Sequence, residues 1–168
     1  MEILETYTLN EYTVKCPEDE QRGKFSEVKL EISSNWPQEK CTHIFYHSKA
    51  FNNVLKYMYD KDHDLATNEI QKIEVKTLFK RCNFVLIVPR VRKKEKIELK
   101  NCSVAGTFKI IPRKAHLFDI KFSLKHELVP NNIVETLAGI TDLGLQGSLD
   151  FDLADLFSNK AEENDENE

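Results

Sequence analysis

The chain reads as an α+β protein, a mostly antiparallel sheet carrying two short helices and ending in a disordered acidic C-terminal tail. Three observations predict this. Apolar residues alternate with charged ones over much of the length, two windows show helical spacing instead, and the last eleven residues hold one alanine and no larger apolar side chain. At 168 residues the chain suits one domain with its own hydrophobic core, expected over 1–157. Residues 158–168 have nothing to bury that would offset the entropy of ordering them.

The elements follow in order. Val28, Leu30 and Ile32 alternate with Lys29 and Glu31, which describes a half-buried strand. Ser48 is placed to cap a helix whose apolar stripe is Phe51, Val54, Leu55 and Met58, running to Asp60. Ile73 and Val75 alternate with Lys72, Glu74 and Lys76 as a second strand. Phe84-Val85-Leu86-Ile87-Val88 is apolar on both faces, the mark of a central strand, and Pro89 ends it. Phe108–Ile111 and residues 118–125 form a hairpin around Pro112-Arg113-Lys114-Ala115-His116. Phe118, Ile120, Phe122 and Leu124 face its core side. A second helix follows Pro130, with Asn131 or Asn132 as cap; it buries Ile133, Val134, Leu137 and Ile140 and stops before Gly144. Leu149, Phe151 and Leu153 then alternate with Asp150 and Asp152 as in an edge strand.

Several classes of function lack their residues. The longest apolar run, Phe84–Val88, is far short of the roughly 20 residues of a membrane helix, and Met1-Glu2-Ile3-Leu4-Glu5 lacks the basic-then-apolar order of a signal peptide. The expected compartment is the cytoplasm in which the chain is made. Cys16, Cys41, Cys82 and Cys102 are scattered without paired spacing, which suits reduced thiols. Phosphate loops, nucleophile elbows and paired zinc spacings are missing, so no catalytic residue, cofactor or metal is expected. Cys41-x-His43-x3-His47 has no second pair of ligands beside it. Asp60, Asp62 and Asp64 imitate a calcium loop, but Leu65 and Gln71 occupy the places of its glycine and its bidentate glutamate.

Charge is more informative. The net −4 divides into −5 over residues 1–70, +11 over 71–125 and −10 over 126–168. A field so polarised steers association with a charged partner. Two stretches are candidate contacts. Arg90, Arg92, Lys93, Lys94, Lys96 and Lys100, with Arg113, Lys114, Lys121 and Lys125, would track the phosphates of a single-stranded nucleic acid if Phe108, Phe118 and Phe122 offered stacking surfaces. The same phenylalanines share the parity of Ile120 and Leu124, which points them into a core. Gln146-Gly147-Ser148-Leu149-Asp150-Phe151 carries the Gln-x-x-Leu-x-Phe pattern of peptides that dock on the bacterial DNA sliding clamp, with Leu153, Asp155, Leu156 and Phe157 as an acidic-hydrophobic continuation. A strand explains the same alternation.

With the hexapeptide at Gln146–Phe151, the small size, the acidic ends and a Lys-, Asn-, Ile- and Glu-rich composition, the chain resembles the phage-encoded inhibitors of the bacterial sliding clamp, of the growth-inhibitory type found in the staphylococcal phage Twort. The resemblance implies a protein that binds the clamp, the DNA polymerase III beta subunit, and stops its loading or use. Two routes lead there. Acidic surface, with Glu18, Asp19 and Glu20 near one end of the chain and Asp150, Asp152 and Asp155 near the other, imitates phosphate and fills the basic channel of the ring. Alternatively Gln146, Leu149 and Phe151 occupy the pocket that polymerases use. In the first route the basic middle faces away, or pairs with acid of its own fold or of a second copy in a homodimer. The alternative to both is a single-strand-binding protein whose acidic tail recruits partners.

Overall fold

A computed structural model describes residues 5–15, 24–60, 72–89, 94–113 and 116–151, the side chains of 57–60 excepted. Seven strands and three helices follow one another as β1 (Glu5–Lys15), β2 (Phe25–Pro37), α1 (Gln38–Phe45), α2 (Lys49–Asp60), β3 (Ile73–Val75), β4 (Arg81–Pro89), β5 (Lys94–Pro112), β6 (Leu117–Pro130), α3 (Asn131–Ile140) and β7 (Gly144–Phe151). The α+β, mostly antiparallel expectation is met. Three helices are present among the described residues where two were expected. The extra one, α1, is shorter than α2 and has a weaker apolar stripe; it buries Cys41, Ile44 and Phe45, the last stacked on Trp36.

The sheet closes on itself. Its order is β3-β5-β4-β7-β1-β2-β6, and β6 pairs back onto β5, so β5, β4, β7, β1, β2 and β6 form an antiparallel barrel. β3 and β4 lie in line along the same edge of β5, as if one strand were interrupted at 76–80. Closure removes the sheet edges that an open array would expose. It needs β5 to bend, and the bend is visible in its register. Between Ala105 and Lys109 the chain has two residues more than β6 opposite, and Gly106 takes φ +73°, a conformation open to glycine at little cost. A smaller bulge sits at Asn101, at φ 60°, where the backbone N–H donates to Asn83 Oδ1 at 2.8 Å.

Alternation along each strand fills the barrel with side chains. Tyr7, Trp36, Phe84, Phe108 and Phe122 are all buried and touch one another edge-on, tilted or stacked, with Phe108 and Phe122 5.1 Å apart between centroids. Helices close both ends. α1 and α2 cover one end, where Phe45 packs on Trp36 and Phe108 and Phe51 packs on Phe118. Ser48 caps α2 as expected, its Oγ accepting from the Phe51 N–H at 3.1 Å. α3 covers the other end through Leu137 and Ile140. Its cap differs from the expected asparagines: Pro130 holds the N-cap position, while Asn131 uses its side chain to accept from Ser26 Oγ and its N–H to reach the Lys24 carbonyl. The helix stops before Gly144 as expected, at Ile140. Asp142, at φ 67°, turns the chain and donates its N–H to the Leu9 carbonyl, which frees Gly144 to begin β7.

Candidate partner-binding surfaces

Closure of the barrel decides what the hexapeptide does. β7 lies between β4 and β1, with Leu149 opposite Phe84 and Gly147 opposite Glu5. Leu149 is 4% exposed, and the Phe151 ring packs against Phe79 with centroids 4.8 Å apart. The edge-strand expectation is thus corrected, because β7 lies inside the sheet order between β4 and β1, its residues 144–147 paired with β1 and 147–151 with β4. Leu149 is buried in the core and Phe151 is half-buried against it, while Gln146 and Asp150 lie on the outer wall. Gly147 shows how tight this strand sits, since a Cβ there would run into the Val85 carbonyl oxygen.

The basic candidates separate in the same way. Phe108, Phe118 and Phe122 are in the barrel core, so they offer no stacking surface for bases. Lys94, Lys96 and Lys100 stand on the outer wall of β5, the last within 3.7 Å of Glu98. Arg113 is engaged by Asp119 at 2.5 Å, and Asp119 also accepts from Asn35 at 2.8 Å. Lys125 pairs with Glu27 at 2.6 Å, which draws the Glu27 carboxyl below its ordinary range and lifts the Lys125 ammonium above its own. Arg90, Arg92, Lys93 and Lys114 lie outside the described residues, as do Glu18, Asp19, Glu20, Asp152, Asp155, the Leu153 continuation, Cys16 and the expected tail 158–168.

The described residues carry 17 Lys and Arg against 14 Asp and Glu, so the overall −4 originates in the stretches between and beyond them. Two of those stretches leave the barrel at the end that α1 and α2 cover. Residues 61–71, with Asp62, Asp64 and Glu69, connect α2 to β3, and 152–168, with seven acidic residues against Lys160, follow the last residue of β7. The third, with Glu18, Asp19 and Glu20, joins β1 to β2 at the opposite end.

One polar group inside the barrel had no signal in the sequence. Glu5, on the inner face of β1, pairs with Lys40 of α1 and accepts from the Tyr7 hydroxyl at 3.1 Å, and the Lys40 ammonium sits 4.6 Å above the Trp36 ring. Burial first, and then the Glu5 charge, push the Tyr7 phenol far above its ordinary value. The cluster clasps α1 to the barrel.

Cys41, Cys82 and Cys102 are free and buried, and burial raises all three thiols, Cys41 and Cys102 to about 12, which leaves them without thiolate at neutral pH. In the Cys41-x-His43-x3-His47 segment Cys41 points into the core, while His47 reaches the Lys76 carbonyl at 2.8 Å. Among the described residues no group of His, Cys, Asp or Glu is arranged to hold a metal, and no helix is long and apolar enough to cross a membrane. A groove of about 340 Å³ between α3 and the end of β4 is lined by Val88, Pro89, Glu135, Thr136, Ile140 and Leu143 among others. No protein-family model, curated protein or solved structure matches the chain.

Proposed function

We propose that the protein inhibits the bacterial DNA sliding clamp by placing acidic surface in the basic channel of the ring, so that the clamp cannot load onto DNA and host replication stops. The observation that carries this choice between the two routes is the burial of Leu149 and the packing of the half-buried Phe151 against Phe79, which engage the anchors of pocket docking within the fold. The charge distribution supports what remains. Carboxylates are gathered in residues 61–71 and 152–168, attached at one end of a rigid barrel whose described body has an excess of cations. A channel built to hold phosphates attracts such a cluster over a Debye length and discriminates against the basic body. The reading assigns no catalytic residue, cofactor, metal or membrane contact.

Binding of the purified protein to purified clamp across a salt series, with duplex DNA as competitor, tests it. Affinity is expected to fall by about tenfold or more between low and physiological salt, to be lost to duplex competition, and to drop when the acidic residues of 152–168 are neutralised to Asn and Gln. No binding to any bacterial clamp at low salt overturns the reading. Binding to a labelled single strand instead would bring the nucleic-acid alternative forward.

A further inference from the structure

β1 changes character halfway along. Up to Thr8 it is paired on both edges, with β2 and with β7. Beyond Thr8 β7 is no longer alongside, and among the described residues only β2 pairs with Asn10–Lys15. Asn10 is the extra residue of a bulge between Leu9 and Glu11, and past it no described strand pairs with the second edge. Glu11, Thr13 and Lys15 share the outer face with Glu31, Lys29 and Glu27, whereas Tyr12 and Val14 share the inner face with Leu30 and Val28. Val14 is nevertheless 39% exposed, although Val28 opposite is 1% exposed. Glu11 faces Glu31 with no cation paired to either among the described residues, and the hydrogen bond between the two carboxyls, with their mutual repulsion, raises Glu11 above its ordinary range.

We propose that this free edge is a homodimer interface, in which two copies join β1 to β1 antiparallel about a twofold axis at Thr13. The sequence of the edge is self-complementary in that register and in no neighbouring one. Glu11 of each copy lies opposite Lys15 of the other, Tyr12 opposite Val14, and Thr13 opposite itself. A shift of two residues keeps the faces aligned but sets Thr13 against Glu11 or against Lys15, so the charge pairs are lost. Opposite charges and aromatic–β-branched pairs are the favourable cross-strand neighbours, and a twofold axis counts each of them twice. The lysine that would blunt a lone edge here has its counter-ion in the same six residues, and Glu11 gains the cation its own chain does not give it. The proposal is independent of the clamp reading.

Sedimentation of the full chain tests it. Wild-type protein is expected to dimerise; Lys15→Glu and Glu11→Lys each place two like-charged pairs across the axis and should weaken dimerisation by about tenfold or more, and the double exchange should restore it. In a Cys16→Ser background, Thr13→Cys should be captured as a disulfide-linked dimer under mild oxidation, because only residue 13 meets itself, while Lys15→Cys should not. This second arm alters no charge and reads the register directly. A wild-type chain that stays monomeric at every concentration, a double exchange that fails to restore association, or Lys15→Cys linking as readily as Thr13→Cys overturns the interface.

Discussion

β7 and the distal half of β1 carry the same signal in sequence, a short alternation of apolar with charged residues, and the fold gives them opposite fates. β7 lies between β4 and β1 in the sheet order, its Leu149 buried, its Phe151 half-buried against Phe79 and Phe108, and its Gly147 pressed against the β4 backbone. Asn10–Lys15 has one neighbour, and four of its last five side chains, those of Glu11, Thr13, Val14 and Lys15, are exposed. Alternation says which side chains share a face; it does not say how many strands flank them. A hexapeptide that matches a docking motif offers its apolar side chains to a partner only where they are not packed into the fold.

Substitution at the two strands gives the largest contrast. Leu149→Ala removes a side chain that is 4% exposed and should cost about 3 kcal/mol by transfer and cavity terms together, whereas Val14→Ala should stay within about 0.5 kcal/mol on the monomer. Urea midpoints on dilute protein measure both. A Leu149→Ala protein as stable as wild type would mean that β7 is not anchored in the core, and the hexapeptide would return as a docking candidate.

Tyr7 sharpens the comparison from within β1, at its doubly paired end. Its hydroxyl donates to Glu5 under cover of the barrel, so Tyr7→Phe should cost about 1 kcal/mol at neutral pH. The phenol is raised in the folded protein, hence the unfolded chain ionises first as pH climbs. Stability contributed by Tyr7 is therefore complete below the ordinary tyrosine value of about 10 and declines above it. Thermal melts from pH 8 to 11 should show wild type losing its advantage over Tyr7→Phe. An advantage that persists unchanged to pH 11 would place the phenol in solvent.

Much of the sheet was legible because its strands obey period two: Val28, Leu30 and Ile32, and Phe118, Ile120, Phe122 and Leu124, are buried on the expected face, whereas Phe84–Val88, expected to be covered on both faces, buries Phe84, Leu86 and Val88 and leaves Val85 and Ile87 half-buried. The Ser48 cap was legible because its chemistry is local. What escaped depends on contacts distant in sequence. Closure of the barrel rests on β5 bending at Gly106, and one glycine between Ala105 and Thr107 says nothing about which strand lies opposite. The Glu5–Lys40 clasp joins residues 35 apart in sequence, and neither side chain signals burial on its own. The free edge of β1 was hidden for the same reason, since it is defined by where β7 ends. In the candidate site, counting charges located the acidic stretches, while the packing of the hexapeptide was not legible because a six-residue pattern does not report what its apolar residues are packed against.

The smallest effect separates two carboxylates on the outer wall that sequence alone would treat alike. Glu27 sits by Lys125, and its lowered carboxyl contributes stability that is present above the ordinary glutamate value of about 4.3 and is lost as pH falls through the lowered one. Glu11 faces Glu31 and is raised, so the sign reverses: its charge is a penalty that is complete above the raised value and relieved as pH falls through it. Lys125→Gln should therefore lower the melting temperature slightly at pH 7, whereas Glu11→Gln should raise it slightly. Both shifts should shrink in high salt, because both sites are open to solvent. On dilute, monomeric protein the Glu11→Gln gain should vanish below about pH 4, where the wild-type carboxyl is protonated in any case. If Glu11→Gln instead destabilises the monomer at pH 7, the carboxylate already has a cation within its own chain, and Lys15 of a second copy has no charge left to answer.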